Sequence, residues 1–298
     1  MKIRIGYGLG TATPTNDSER FDPFVDQLEA LGFDSLWLSE RISGPCPDPV
    51  VGMAYAAGRT TRLKFGMSVM VLPGRNPVLV AKALASLDRL SNGRLLPAFG
   101  LGAPNLAEWE AFGVERRDRA PWFDEALPVI RRLWTEERVD HHGERFSFEG
   151  LRVEPRPVQE PLEVWLGGSA PSELRRVGRL ADGWLPSFTT PDDVAAGREV
   201  VEKTASDHGR QIDPEHFGAL VPYAHNEPGG RIVDAIRARR PDLDPAEVIP
   251  VGTDAIVSLL ERFVAAGASK FVLIPLAEPD DWAEELGTIA SEVLPLQN

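Results

Sequence analysis

The chain has little that would suit an exported or membrane-bound protein. Its 298 residues include one cysteine, which excludes an internal disulfide and fits a reducing compartment. That residue, Cys46, stands between two prolines, so we expect it in a loop rather than at a catalytic site. No run of about eighteen apolar residues is present, and the opening MKIRIGYGLG turns polar too early for a signal peptide. We therefore expect a cytoplasmic protein that does not enter membranes.

Basic residues are also fewer than acidic residues. The 32 Lys and Arg residues against 45 Asp and Glu residues give a net charge of −13, and no basic stripe suggests a nucleic-acid partner. The five histidines lack the spacing of a metal site, because His141 and His142 are adjacent and the others are scattered. The phosphate-binding loop of nucleotide hydrolases and the nucleophile elbow are absent as well. A metal enzyme or a serine hydrolase is therefore not expected.

Short apolar runs alternate with segments of helical periodicity along the whole chain. This alternation predicts repeated β-α units, and about eight units in a chain of this length predict a (β/α)8 barrel. An open doubly wound sheet is the alternative. The predicted strands are Ile3–Gly8, Ser35–Ser39, Leu63–Val71, Leu95–Gly100, Val164–Gly167, Gly183–Pro186, Phe217–Tyr223 and Phe271–Pro275. The predicted helices are Phe21–Leu31, Pro77–Leu90, Trp122–Trp134, Pro171–Ala181, Asp192–Ser206, Asp254–Ala266 and Trp282–Val293.

One segment, Gly102 to Pro161, is too long for an ordinary barrel loop. It contains a helix and the stretch HHGERFSFEGLRVEPRPVQEP, which predicts a small hairpin and a proline-rich return. We interpret it as an insertion between the fourth and fifth strands of a single domain spanning residues 1–298. A domain boundary there is less favoured, because neither flank has a full set of strands.

In such barrels, functional residues stand at the carboxyl ends of the strands. After the fifth predicted strand come Gly167, Gly168 and Ser169, which open a basic helix. Glycines leave backbone N–H groups accessible and helix N-termini attract anions, so this turn is a candidate phosphate site. The alternative is that a tight turn needs glycine and a helix cap needs serine.

Other strand ends carry further candidates. The second strand ends in Ser39, Glu40 and Arg41, where Glu40 is predicted to contact a polar heterocycle or relay a proton while Arg41 fixes its charge. A structural ion pair is the alternative. Beyond them, Ser68 interrupts the apolar third strand, Gly100 allows close approach to the fourth, and His225 is a candidate acid or base after the seventh.

Several blocks in this order resemble the bacterial luciferase-like superfamily, and most of all its branch that depends on the deazaflavin coenzyme F-420. The resemblance covers roughly Ile3 to Ser187, and its blocks include SLWLSERI, TTRLKFGMSVMVLPGRNPVLVAKALASLDRLSNGRL, AFGLGAPNLAEWEAFGV and VWLGGSAPSELRRVGRLADGW. It implies a homodimeric (β/α)8 barrel with a flavin or deazaflavin across the strand ends.

The resemblance also implies roles for individual residues. Ser68–Val69 matches the family's non-prolyl cis peptide, which supports the cofactor ring from behind. The Gly167–Ser169 turn matches the phosphate-binding turn, and Asn105 lies near a segment that contacts the cofactor. Many relatives place a histidine where Arg41 stands, and arginine does not shuttle protons near neutral pH. The proton source is then left open among Glu40, Tyr7, His225 and water.

The sequence thus predicts an oxidoreductase that transfers a hydride between coenzyme F-420 and a small organic substrate. One alternative is an FMNH2-dependent monooxygenase that uses dioxygen. The other is a non-catalytic flavin- or deazaflavin-binding protein, for which the missing histidine is the only indication.

Overall fold

A closed barrel of parallel strands forms the centre of the protein. The computed structural model describes residues 1–102 and 105–298. In chain order its strands are β1 (Arg4–Leu9), β2 (Ser35–Leu38), β3 (Lys64–Met67), β4 (Met70–Val71), β5 (Leu95–Leu96), β6 (Ala98–Gly100), β7 (Val139–His142), β8 (Ser147–Leu151), β9 (Trp165–Leu166), β10 (Gly183–Trp184), β11 (Gly218–Tyr223) and β12 (Lys270–Pro275). All eight predicted strands are present, with the third and fourth each divided in two.

The strand pairing closes the barrel. One sheet runs β11-β12-β1-β2-β3-β5 and the other runs β10-β9-β6-β4. They join on one side because β3 continues into β4 and β5 continues into β6. On the other side, parallel bridges from Trp184 to Phe217 and from Ser187 to Leu220 join β10 to β11. The predicted (β/α)8 barrel is confirmed, and the open doubly wound sheet is wrong.

Helices surround the barrel. They are α1 (Ser18–Leu31), α2 (Pro49–Arg59), α3 (Pro77–Leu90), α4 (Leu106–Phe112), α5 (Arg119–Thr135), α6 (Pro171–Leu180), α7 (Pro191–Asp207), α8 (Gly230–Arg239), α9 (Thr253–Ala265) and α10 (Trp282–Glu292). Every predicted helix is confirmed within a few residues. Among the described residues, no helix is long and apolar enough to cross a membrane.

Three helices, α2, α4 and α8, were not predicted. The start of α2 carries a clear signal, since Asp48 accepts hydrogen bonds from the N–H groups of Val50 and Val51 and Pro49 occupies the first turn. Its two glycines obscured the helical pattern. One of them, Gly52, allows close packing on β2, because a Cβ there would lie 2.5 Å from Leu38.

The long segment between the fourth and fifth barrel strands is not one insertion. Helix α5 lies within it and packs on α3, where the Trp134 indole donates to the carbonyl of Ala81 at 3.0 Å. It is therefore the barrel's own helix, and the additional pieces are α4 before it and the β7–β8 hairpin after it. The predicted hairpin is confirmed as an antiparallel pair.

The barrel interior is filled by two indole rings and a buried ion pair. The ammonium of Lys270 lies 6.0 Å from the centre of the Trp37 ring and 5.9 Å from that of Trp165. It contacts Asp34 at 2.8 Å, and both side chains are 7% exposed. Burial opposes ionisation of Asp34, but Lys270 and Lys64 hold its pKa well below the usual range. The pair is stable there because each charge has a partner.

Candidate functional site

A pocket of about 270 Å³ lies at the carboxyl ends of the barrel strands. Six of the predicted cofactor-binding residues line it: Glu40, Ser68, Val69, Gly100, Gly167 and Gly168. They come from four different strand ends, which only closure of the barrel brings together. Phe99, Phe123 and Leu166 form apolar wall, and Glu40, Glu173 and Arg176 add charged groups, so apolar and polar surface line the pocket together.

Val69 forms a ridge in the middle of this pocket. The Ser68–Val69 peptide bond is cis, as the resemblance implied, and it separates β3 from β4. The neighbouring strand has Gly100 opposite the ridge, where a Cβ would lie 2.4 Å from the Val69 side chain. Behind it, the hydroxyls of Ser68 and Ser39 are 3.1 Å apart. Ser39 therefore supports the ridge from outside the pocket.

Glu40 is held at the pocket edge by a partner that the sequence analysis missed. Its carboxylate accepts the Val71 N–H at 2.6 Å and forms an ion pair with Arg75. Burial raises the pKa of Glu40, and Arg75 opposes that rise. Arg41 was predicted to fix the charge of Glu40; this was wrong, because Arg41 is exposed and the short loop before α3 supplies Arg75 instead.

The diglycine turn has the conformation that glycine favours. Gly168 has φ +88°, and its carbonyl accepts the Trp184 indole N–H at 2.8 Å. The next two N–H groups, of Ser169 and Ala170, donate to the carboxylate of Glu173 at 3.0 and 2.9 Å. The amides of this turn thus already hold an anionic group that belongs to the chain itself. Ser169 is exposed and lies outside the pocket.

One arginine of the basic helix reaches the pocket. Arg176 is buried and lines it, whereas Arg175 is exposed. The Arg176 guanidinium contacts Asp124 at 2.7 Å and lies over the Phe123 ring at 5.7 Å. Arg179 contacts the same carboxylate at 3.1 Å. The pocket wall next to the diglycine turn therefore carries both signs of charge, since Glu173 lines it beside Arg176.

Two further predicted site residues, Asn105 and His225, lie away from this pocket. Asn105 caps α4, and its side chain accepts the N–H groups of Ala107 and Glu108. His225 lines a separate cavity of about 440 Å³ beside α10, with its Nε2 at 3.2 Å from Glu285. The structure does not bring His225 together with Glu40, and its acid–base role stays a prediction.

Tyr7, another candidate proton source, belongs to the network around Glu285. Its hydroxyl is fully buried and hydrogen-bonded to the hydroxyl of Tyr223, which donates to Glu285. Burial raises the pKa of Tyr7 well above its usual value. The Tyr7 ring packs edge-on against Phe24 of α1 and Trp282 of α10, so it faces the helical layer.

The residues of the pocket fit a phosphorylated tricyclic ring. The glycines leave room beside Val69, and the turn at Gly168 presents amides that hold a carboxylate and can hold a phosphate. No group of His, Cys, Asp and Glu side chains among the described residues is arranged to bind a metal ion. The fold and pocket thus define a parallel barrel with a ligand site at its carboxyl end.

Comparison with known proteins identifies the family. Residues 3–240 match the luciferase-like monooxygenase family, and the chain belongs to it. An F420-dependent glucose-6-phosphate dehydrogenase of Kineococcus radiotolerans is 32% identical over 198 residues, covering 61% of this chain and 56% of that protein. Limonene 1,2-monooxygenase of Rhodococcus erythropolis is 32% identical over 197 residues, covering 63% of this chain and 50% of its own.

The fold is also that of solved structures. Coenzyme F420-dependent tetrahydromethanopterin reductase of Methanopyrus kandleri superimposes with a TM-score of 0.79 over the whole of both chains at 18% identity, a likeness that shows the fold alone. The chain spans about half the length of the two curated relatives described above.

Proposed function

We propose that this protein binds coenzyme F-420 in the barrel-mouth pocket and transfers a hydride between it and a small organic substrate. The observation that carries the proposal is the Val69 ridge facing a turn that already holds an anion. Relatives named as F420-dependent glucose-6-phosphate dehydrogenases support the choice of cofactor. The deazaflavin supplies the redox chemistry when bound, and the protein orients it and excludes water.

In this proposal each part of the pocket has a distinct task. Val69 and Gly100 support one face of the ring, and the turn at Gly167 and Gly168 holds the phosphate. Glu40 contacts the polar edge of the ring, and Arg75 keeps Glu40 in place. Because Glu40 is buried and its pKa is raised, it can also hold a proton near the pocket. Tyr7 has no such access, since its hydroxyl faces Glu285.

Cofactor binding tests the proposal directly. Purified protein is titrated with F-420 and, separately, with FMN, and binding is followed by the change in cofactor fluorescence. We expect saturable F-420 binding that is much tighter than FMN binding. Tight FMN binding without measurable F-420 binding would contradict the cofactor assignment and favour the alternative below.

An FMNH2-dependent monooxygenase is the second candidate, supported by the relative named limonene 1,2-monooxygenase. Oxygen consumption by the protein with reduced FMN separates it from the first proposal, because hydride transfer from F-420 uses no dioxygen. Cofactor binding without turnover across a broad set of carbonyl and enoyl compounds would instead indicate a non-catalytic binding protein, in which Arg41 replaces an acid–base histidine.

We further propose a single-domain, cytoplasmic homodimer. One hydrophobic cluster extends from β1 to the last helix, which supports a single domain. Exposed apolar side chains on α2 and α3 support a subunit interface: Val51 is 67% exposed, Tyr55 46% and Leu79 69%. Light scattering during size-exclusion chromatography tests this, since the dimer has twice the 32.7 kDa mass of the chain.

A further inference from the structure

Arg119, the first residue of α5, is a buried cation with two donor atoms that lack hydrogen-bond partners in the described part of the chain. Its side chain is 4% exposed, and neither Nε nor Nη2 has a hydrogen-bond partner anywhere in residues 1–102 and 105–298. Burial lowers its pKa. A buried charge without a partner is costly, and a native protein that keeps one has a ligand or a function for it.

The carboxylates nearest to Arg119 are engaged elsewhere. It shares a cavity of about 110 Å³ with Glu40, Arg41 and Glu108. Glu40 is bound to Arg75 and the Val71 N–H. Glu108 accepts three hydrogen bonds from the backbone and side chain of the loop at Ile42 and Ser43. Neither forms an ion pair with Arg119, so the guanidinium is available to a ligand.

The two unpartnered donors specify what that ligand is. Nε and Nη2 lie on the same side of a guanidinium, and together they match the two oxygens of a carboxylate. The Arg119 guanidinium lies 5.5 Å from the centre of the Trp109 ring, and its Nη2 packs beside Gly102, which lines the same cavity. Arg41 adds a second positive charge at the exposed side of the cavity.

The position of the cavity connects it with the proposed reaction. It has Glu40, Val71 and Gly102 in common with the larger pocket, so the two spaces adjoin. A carboxylate held by Arg119 would direct the rest of a small molecule towards the Val69 ridge.

We propose that Arg119 is a substrate-binding residue that recognises a carboxylate, and that the substrate is a small carboxylic acid reduced or oxidised at a carbon near the carboxyl group. This inference rests on the proposed function of the larger pocket. Hydride transfer in either direction leaves the carboxylate unchanged, so the substrate and the product are both bound through Arg119. The redox partner is the deazaflavin in both cases.

The experiment compares carboxylates with their uncharged amides. Pyruvate, fumarate and benzoate, and the corresponding amides, are titrated into the protein saturated with F-420 by calorimetry. We expect at least one acid to bind and its amide to bind roughly tenfold more weakly or not at all. Equal binding of each acid and its amide would overturn the proposal without any variant being needed.

Substitution then assigns the effect to Arg119. Arg119→Gln should weaken binding of the acid by roughly tenfold or more, while F-420 affinity stays within about twofold, since this residue serves the substrate. The matched control is Arg117→Gln, because Arg117 is 80% exposed and its ion pairs are with Glu115 and Asp118 at the surface.

Two results would contradict the inference. Unchanged acid binding in Arg119→Gln would show that the carboxylate is held elsewhere. Loss of F-420 binding in the same variant would assign Arg119 to the cofactor. Failure of wild-type protein to bind F-420 at all would instead contradict the proposed function, and acid binding measured without cofactor would still decide the role of Arg119.

Discussion

Replacing Glu173 with glutamine tests whether the cofactor phosphate competes with the Glu173 carboxylate for the amides of the diglycine turn. In the free protein, the Glu173 carboxylate accepts the N–H groups of Ser169 and Ala170 at 3.0 and 2.9 Å. A phosphate bound at the same amides has to displace this carboxylate. Glutamine keeps an acceptor oxygen of the same reach but removes the negative charge, so it weakens the internal competitor while leaving the turn unchanged in shape.

The magnitude follows from the two hydrogen bonds that are broken. Hydrogen bonds to charged groups contribute about 1.5–3 kcal/mol each. Because Ser169 and Ala170 are exposed, water can bind their N–H groups when Glu173 leaves, so the net free energy is smaller. If displacing the Glu173 carboxylate costs phosphate binding about 1–2 kcal/mol, Glu173→Gln should bind F-420 roughly 5- to 30-fold more tightly. The same change removes an acidic group from the first turn of α6, which should destabilise the fold by about 0.3–1 kcal/mol.

The assay pairs a fluorescence titration of F-420 with thermal unfolding of the free protein. We expect tighter binding together with a slightly lower Tm, a combination that general damage does not produce. Glu199→Gln controls for the change in net charge, because Glu199 is an exposed residue of α7 away from the pocket. Unchanged or weaker F-420 binding in Glu173→Gln would refute the reasoning and show that the phosphate does not use these amides.

Three further changes have clear expected outcomes. Gly168→Val should abolish cofactor binding, because Gly168 has φ +88° and a Cβ would lie 2.5 Å from Glu173. Circular dichroism should show that the variant keeps its fold. Unchanged cofactor affinity would mean that the phosphate binds elsewhere. Asp34→Asn removes the negative charge that pairs with buried Lys270, so the free energy of unfolding in urea should fall by about 3–5 kcal/mol. A fall of less than about 1 kcal/mol would contradict the importance of the buried pair. Burial opposes ionisation of Glu29, but N–H donors from the loop at Leu63 lower its pKa to about 2. Its folded pKa is thus below the unfolded value, so its contribution is present above pH 4.5 and is lost as the pH falls towards 2. Glu29→Gln should therefore destabilise the protein by about 1–2 kcal/mol at pH 7 and by less near pH 2, and an equal loss at both would argue against the assignment.

Local patterns were sufficient for most of the architecture. A short apolar run bounded by glycine or polar residues predicts a buried strand whatever lies far away in the chain, and all eight runs formed strands. Helix α3 is predicted to the residue because Asn76 and Pro77 mark its start. The pattern failed at α2, where two glycines interrupt the periodicity and the reason for Gly52 is its contact with Leu38.

Charge partners are the part that local pattern could not supply. Glu40 stands beside Arg41 in the sequence, and adjacency suggested a pair. At a strand end, however, consecutive side chains point in different directions, and Arg75 reaches the carboxylate from a loop 35 residues away. Glu173 is a different case, because it stands three and four residues after the amides it binds, and its position in the first turn of α6 folds it back over the diglycine turn.

The sequence by itself determined the barrel, the cis Ser68–Val69 ridge and the glycine turn, since each depends on residues that are close along the chain or on blocks that match a family. Only the tertiary structure decided which charges are neutralised. It paired Glu40 with Arg75, moved His225 to a separate cavity and left Nε and Nη2 of Arg119 buried without a hydrogen-bond partner among the described residues. The physical reason is that the energy of a buried charge depends on every group within a few ångströms, and those groups come from distant parts of the chain.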